Sequence, residues 1–184
     1  MRFYLKMWSI RRIEFEKVFF CLLIYLFVML IPFFLSDSMH GIITFNNESK
    51  SFISILKNNV TVIFTGVFLG AISCGLIGFI IILINAFYLG ETLILGIIKY
   101  GPSFLFSILP HGLFEVPGTV IVMVILWEIN KFLFSKLYPL KTNYTFHEFS
   151  RKIREYFILS ILLISIGALV EAYITPILIE RFLL

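Results

Sequence analysis

Charged residues fall in a few short stretches of the chain, and long apolar runs separate them. Val18–Leu35 is the first run, eighteen residues without a charge. As a helix it would extend ~27 Å, close to the hydrocarbon thickness of about 30 Å. Pro32 falls in its last turn, where a kink is tolerated. Residues 36–59 are polar, with Asp37, His40, Asn46, Asn47, Glu48, Lys50, Lys57, Asn58 and Asn59. They read as a loop whose segment Ser51–Leu56 lies along the interface.

Residues 60–98 hold only Asn85 and Glu91 as strongly polar positions. One straight helix over this stretch would measure ~58 Å, nearly twice the bilayer, so the pattern predicts two spans. Gly70, Gly75 and Gly78 mark the place for the turn. No polar turn residues accompany them, so the turn should be buried in protein. Lys99-Tyr-Gly-Pro102 then breaks the helix. Ser103–Leu109 is too short to span and reads as a re-entrant or interfacial stub, followed by Pro110-His111-Gly112. Leu113–Phe134 is the next span. Phe146, Phe149, Ile153 and Phe157 recur at helical spacing and predict an amphipathic lead into the last span, about 157–179.

The predicted fold class is therefore all-α: a transmembrane bundle of about five spans, with broken or re-entrant helices in the middle. The spans are placed at 18–35, 58–77, 79–99, 113–134 and 157–179, within a single transmembrane domain over residues 1–184. Composition agrees, since the chain is 60% hydrophobic and 14% charged, whereas soluble domains average roughly 45–50% and about 25%. Residues 1–38 carry a longer charged lead and a longer apolar run than a secretory leader, so the first span is expected to be retained.

The net charge of +4 does not point to nucleic acid. Eleven of the fifteen Lys and Arg lie in two blocks, residues 1–17 and 131–154, both beside apolar runs. By the positive-inside rule both blocks are cytoplasmic. An odd number of crossings must then separate them. One crossing would leave too much apolar chain unplaced, so three are expected. The N-terminus is then cytoplasmic, the C-terminus outside, and the loop with His111 at the outer face of a cell membrane. Cys21 and Cys74 both sit in apolar runs and read as free buried thiols.

Ionisable groups in a bilayer cost about 2.5–3.5 kcal/mol each at a helix centre, so they need partners or a wet cavity. Asn85, Glu91, His111, Glu115 and Glu171 are candidates for one intramembrane polar cluster. His111 and Glu115 share a face if the chain is helical from 111. Glu171 has Thr175 one turn on, with Pro176 after it. Three readings compete: mutual neutralisation that fixes helix register, a proton or substrate path, and a metal or hydrolytic centre with His111, Glu115 and Glu171 as ligands. No HExxH or paired-nucleophile motif supports catalysis, so no catalytic residue is assigned and no cofactor is expected, a divalent metal aside. His40 and His147 read as solvated loop residues. Gly66 and Gly70 match the small-xxx-small pattern for close helix approach, within one chain or between two copies. Gly90 and Gly112 are further packing candidates.

The stretches "LINAFYLGETLILG", "LPHGLFEVPG" and "VEAYITP" together resemble the stage II sporulation protein M family of bacterial membrane proteins. Its Asn-x4-Gly element falls on Asn85 and Gly90. Its Pro-His-Gly-x-x-Glu element falls on Pro110, His111, Gly112 and Glu115, and its late Glu-Ala-x-x-Thr-Pro element on Glu171, Ala172, Thr175 and Pro176. Ala86 stands where many members have Gly. The resemblance implies a polytopic protein without established catalysis. Sporulation members act with cell-wall hydrolases during engulfment. Small members resemble proteins encoded beside circular bacteriocins, tied to production, export or immunity, and others sit beside ABC-type exporters. The expected function is a non-enzymatic component of an envelope complex, with a transport, export or immunity role for a hydrophobic peptide as the alternative and an intramembrane metal-dependent enzyme as the second. Expected partners are the lipid bilayer, other membrane proteins such as wall-hydrolase or exporter subunits, and a second copy of the chain; nucleic acid is not among them.

Overall fold

The computed structural model describes residues 2–35, 51–137 and 145–183, with side chains from Glu14 to Arg181. Asp37, His40, Asn46, Asn47, Glu48 and Lys50, expected in a loop, lie outside the described residues. Six α-helices follow in order: α1 (Arg2–Leu35), α2 (Phe52–Ile72), α3 (Leu76–Tyr100), α4 (Leu105–Leu137), α5 (Phe146–Tyr173) and α6 (Thr175–Leu183). A 3-10 turn, Pro102–Phe104, joins α3 to α4, and no strand occurs among the described residues. Five helical stretches are long and apolar enough to cross a membrane: Glu14–Leu35, Phe52–Ile72, Leu76–Tyr100, Pro102–Leu137 and Phe146–Arg181.

The centre of the bundle is α4. In its most apolar window 56% of residues are buried, against 17–22% in the other four spans. Val120 through Leu126 are buried without interruption. A run that long covers the whole circumference of a helix, so α4 is enclosed on every side over these two turns, while Leu109 and Leu113 before them and Phe134 after them are exposed. Its broadest packing is on α5. Gly118 lets the two helices close, since a Cβ there would come 2.8 Å from Ile164. Nearby, Ser160 Oγ donates to the Gly118 carbonyl at 2.9 Å. The outer helices turn Phe19, Phe27, Phe34, Phe68, Leu76 and Leu162 outward, an apolar exterior suited to lipid.

The turn between α2 and α3 falls at Ser73-Cys74-Gly75, inside the glycine region expected to hold it. Cys74 and Gly75 both take positive φ, 52° and 92°. One hydroxyl splices the two helices: Ser73 Oγ donates to Leu69 O at 2.7 Å and accepts from Ile77 N at 2.9 Å. Asn130 of α4 donates to the Cys74 carbonyl at 2.7 Å. The turn is only half-buried, with Ile72 and Leu76 exposed beside it, and not fully enclosed in protein as expected; its backbone is satisfied by its own Ser73 and by Asn130 of a neighbouring helix. The glycines of α2 serve this same hairpin. A Cβ on Gly66 would meet Ile82 at 3.4 Å, and one on Gly70 would meet Gly78 at 3.5 Å, so the small-xxx-small face is used inside the chain. Gly90 of α3 lies directly against the Met29 backbone of α1. Gly112, in contrast, has open space where a Cβ would go.

Two expectations need correction. Ser103–Leu109 is not a re-entrant stub, because α4 begins at Leu105 and runs through both Pro110 and Pro117. Proline removes one backbone bond each time. Neighbouring hydroxyls and helices re-satisfy freed backbone in a membrane bundle, so such a helix persists. His111 is therefore an α4 residue, 8% exposed, and not part of an outer loop. Likewise the polar stretch to Asn59 is not all loop. Ser51 caps α2, its Oγ accepting from Ser54 N at 3.3 Å, and the helix carries Lys57, Asn58 and Asn59. At the start of α5, Thr145 and Glu148 form a reciprocal capping box at 3.2 Å each, which begins the helix before its apolar part.

Candidate functional site

Three of the candidate residues converge. His111 and Glu115 lie one turn apart on α4, and Glu171 stands near the end of α5. Each offers one ligand atom, and the three atoms lie within 4.8 Å of one another. Gly167, one turn before Glu171, makes the room: a Cβ there would stand 2.6 Å from Glu115 Cγ and 3.4 Å from the His111 carbonyl.

Polar residues from other helices hold this group. Asn59 Nδ2 of α2 donates to Glu115 Oε1 at 2.7 Å. His111 Nδ1 is 3.2 Å from Thr175 Oγ1. Thr175 in turn donates to the Ser107 carbonyl at 3.2 Å. With its proton committed to that carbonyl, the threonine oxygen accepts from Nδ1–H. The hydrogen-bond network thus assigns the Nδ1–H tautomer and leaves a lone pair on Nε2. Thr119 Oγ1 caps the Glu115 carbonyl at 2.8 Å. Tyr25 of α1, 1% exposed, reaches the side chains of Asn85 and Thr119 with its hydroxyl. Asn85 thereby joins the edge of the group through tyrosine.

Glu91 does not. It is half-buried on α3 and makes no hydrogen bond or ion pair with the other described residues. Asn59, Tyr25 and Thr119 are members that the sequence pattern does not announce. Asn59 looks like loop, and a tyrosine in an apolar run looks like packing. Their one legible signal is the chemistry of a polar tip inside a span, which needs a partner when buried.

A second polar group lies at the opposite end of the bundle. Lys17 of α1 binds the carboxylate of Glu128, which is fully buried on α4. Lys17 also lies 3.5 Å from Glu14. Glu14 accepts from Lys152 Nζ and from Tyr156 OH, both on α5, at 2.5 Å each. Glu128 falls within the predicted span 113–134 and was as readable as Glu171. Both basic blocks thus reach the same end of the bundle. Along α4 this network stands ~20 Å from the histidine group, at 1.5 Å rise per residue.

Comparison with known proteins agrees with the motifs. The model of the family described as stage II sporulation protein M matches residues 16–176. An uncharacterised protein of Methanocaldococcus jannaschii is 32% identical over 157 residues, covering 74% of this chain and 85% of the relative. No solved structure matches. The matched segment contains the whole histidine group and all of the second polar group except Glu14, and this multi-pass helical protein belongs to the stage II sporulation protein M family.

Proposed function

We propose that the protein is a non-catalytic membrane subunit of an envelope complex, which holds partner proteins against its outer helices. The observation that carries this reading is the enclosure of α4. A helix buried through Val120–Leu126 fills the middle of the bundle, where a conduit for cargo would have to run. Close packing of that kind favours a fixed shape over a gated path. Both basic blocks at one end, with Lys17, Lys152 and Lys136 among them, support a cytoplasmic placement of that end and an outer placement of the histidine group.

Photo-crosslinking tests the proposal. A photoreactive residue is placed in turn at Phe27, Phe68 and Leu162, all exposed, in the protein in its native membrane. A holding subunit gives discrete protein adducts from one face, and the same adducts with His111→Ala if that variant accumulates normally. Lipid adducts alone from every face would overturn the reading, as would passage of a hydrophobic peptide through vesicles containing only this protein.

A further inference from the structure

We infer that His111, Glu115 and Glu171 bind one divalent transition-metal ion, with zinc the ion their chemistry fits. This goes beyond the holding role and does not depend on it.

The donor set is the first argument. One imidazole and two carboxylates are three protein ligands of the kinds zinc takes, and three ligands with one open position is a common zinc arrangement. Their atoms already lie within 4.8 Å of one another. Tetrahedral bonds of about 2.0–2.2 Å set ligand atoms about 3.3–3.6 Å apart, so each pair needs to close by no more than ~1.5 Å. Small side-chain rotations supply that.

The surrounding shell is the second and independent argument. A metal-binding histidine needs a fixed tautomer, with the other ring nitrogen donating to an oxygen. His111 has this arrangement: Nδ1 faces Thr175 at 3.2 Å, and Thr175 is itself anchored on the Ser107 carbonyl. The residue is 8% exposed, and its free lone pair on Nε2 belongs to a ring held beside two carboxylates. Glu115 is oriented in the same way, since Asn59 holds one of its oxygens at 2.7 Å. Gly167 leaves the gap the carboxylate occupies. These features are more than two acids and an imidazole meeting by chance; they hold His111 and Glu115 in place.

Charge is the third argument. Two carboxylates this close within a membrane repel unless a proton or a cation lies between them. At the other end of the bundle lysines do that work. Among the described residues Glu115 has Asn59 as its side-chain partner and no lysine or arginine. A divalent ion would neutralise both acids at once, and the neutral imidazole would complete the set. Apolar helices around the site would limit exchange with the medium.

Elemental analysis of the detergent-purified full chain decides between proton and metal. The protein is stripped with a chelator, incubated with zinc chloride alone, and desalted. The expected result is about one zinc per chain, with a rise in melting temperature on adding zinc. Glu171→Gln and His111→Ala should lose the ion. Thr175→Val, which removes only the support behind the ring, should weaken zinc binding about 10–100-fold. If His111→Ala does not accumulate, Glu171→Gln and Thr175→Val carry the comparison. Wild-type protein that retains no zinc and does not gain stability from it would overturn the inference and leave a shared proton between the acids. Equal zinc in wild type and Glu171→Gln would also overturn it, by locating the ion elsewhere.

Discussion

The two polar groups of this bundle solve the same problem by different means. At the end where α1 starts, Lys17 meets Glu128 and Lys152 meets Glu14, so each acid finds its counter-charge on another helix. At the other end, His111, Glu115 and Glu171 gather with hydroxyl and amide support from Thr175 and Asn59. The first group is complete as built from the chain. In the second, Thr175 and Asn59 hold His111 and Glu115, and two carboxyl groups lie side by side. A self-contained network ties helices together; a preorganised set of acids and an imidazole is suited to holding something added.

Removing Lys17 should cause the largest effect. Lys17→Met leaves the fully buried Glu128 without that partner, and breaking such a pair costs about 3–5 kcal/mol. Thermal unfolding in detergent would read this as a large fall in melting temperature. The double variant Lys17→Met with Glu128→Leu should recover much of the loss, because no uncompensated charge remains. If the double variant is as unstable as the single, the network acts through packing and not charge.

A smaller effect is expected at the α2–α3 turn. Asn130→Leu leaves the half-buried Cys74 carbonyl without that donor, at a cost of about 1 kcal/mol in the same unfolding measurement. Glu171→Gln in metal-free protein should cost less still, under about 1 kcal/mol, since the amide keeps the side chain's shape and can still accept a hydrogen bond. A loss as large as that of Lys17→Met would erase the distinction between the two groups. Gly112→Ala should be the mildest, within about 0.5 kcal/mol, because the space beside it is open. Gly90→Ala is its counterpart, as the Met29 backbone occupies the place of a Cβ, and overpacking there should cost about 1–3 kcal/mol.

Much of the architecture was legible because lipid imposes a simple rule of length and polarity. Apolar runs marked the spans, and the glycines around Gly75 marked the hairpin. The continuity of α4 was not legible, since Pro110, Gly112 and Pro117 are breakers in water and only the neighbours make them tolerable here. His111, Glu115 and Glu171 stood out as costly residues in apolar surroundings, and the fold brings them together. Glu14, Lys17 and Lys152 did not stand out. Charges at the ends of apolar runs look like orientation signals, and only tertiary contact with Glu128 and Tyr156 reveals the network. Tyr25 and Asn59 were hidden for a related reason: each is an ordinary residue for its segment until a distant helix supplies its partner.

The enclosure of α4 has a consequence for how the protein is made. This helix carries His111, Glu115 and Glu128, and none of them is comfortable in acyl chains. As a newly synthesised segment it would leave the insertion channel poorly if it had to face lipid alone. Three earlier helices are already present when it emerges, and Lys17 of the first can meet Glu128 at once. α5, which arrives afterwards, then closes the remaining side. Assembly order is thus written into the placement of the acids, and truncation before α5 should leave a fragment that membrane quality control removes.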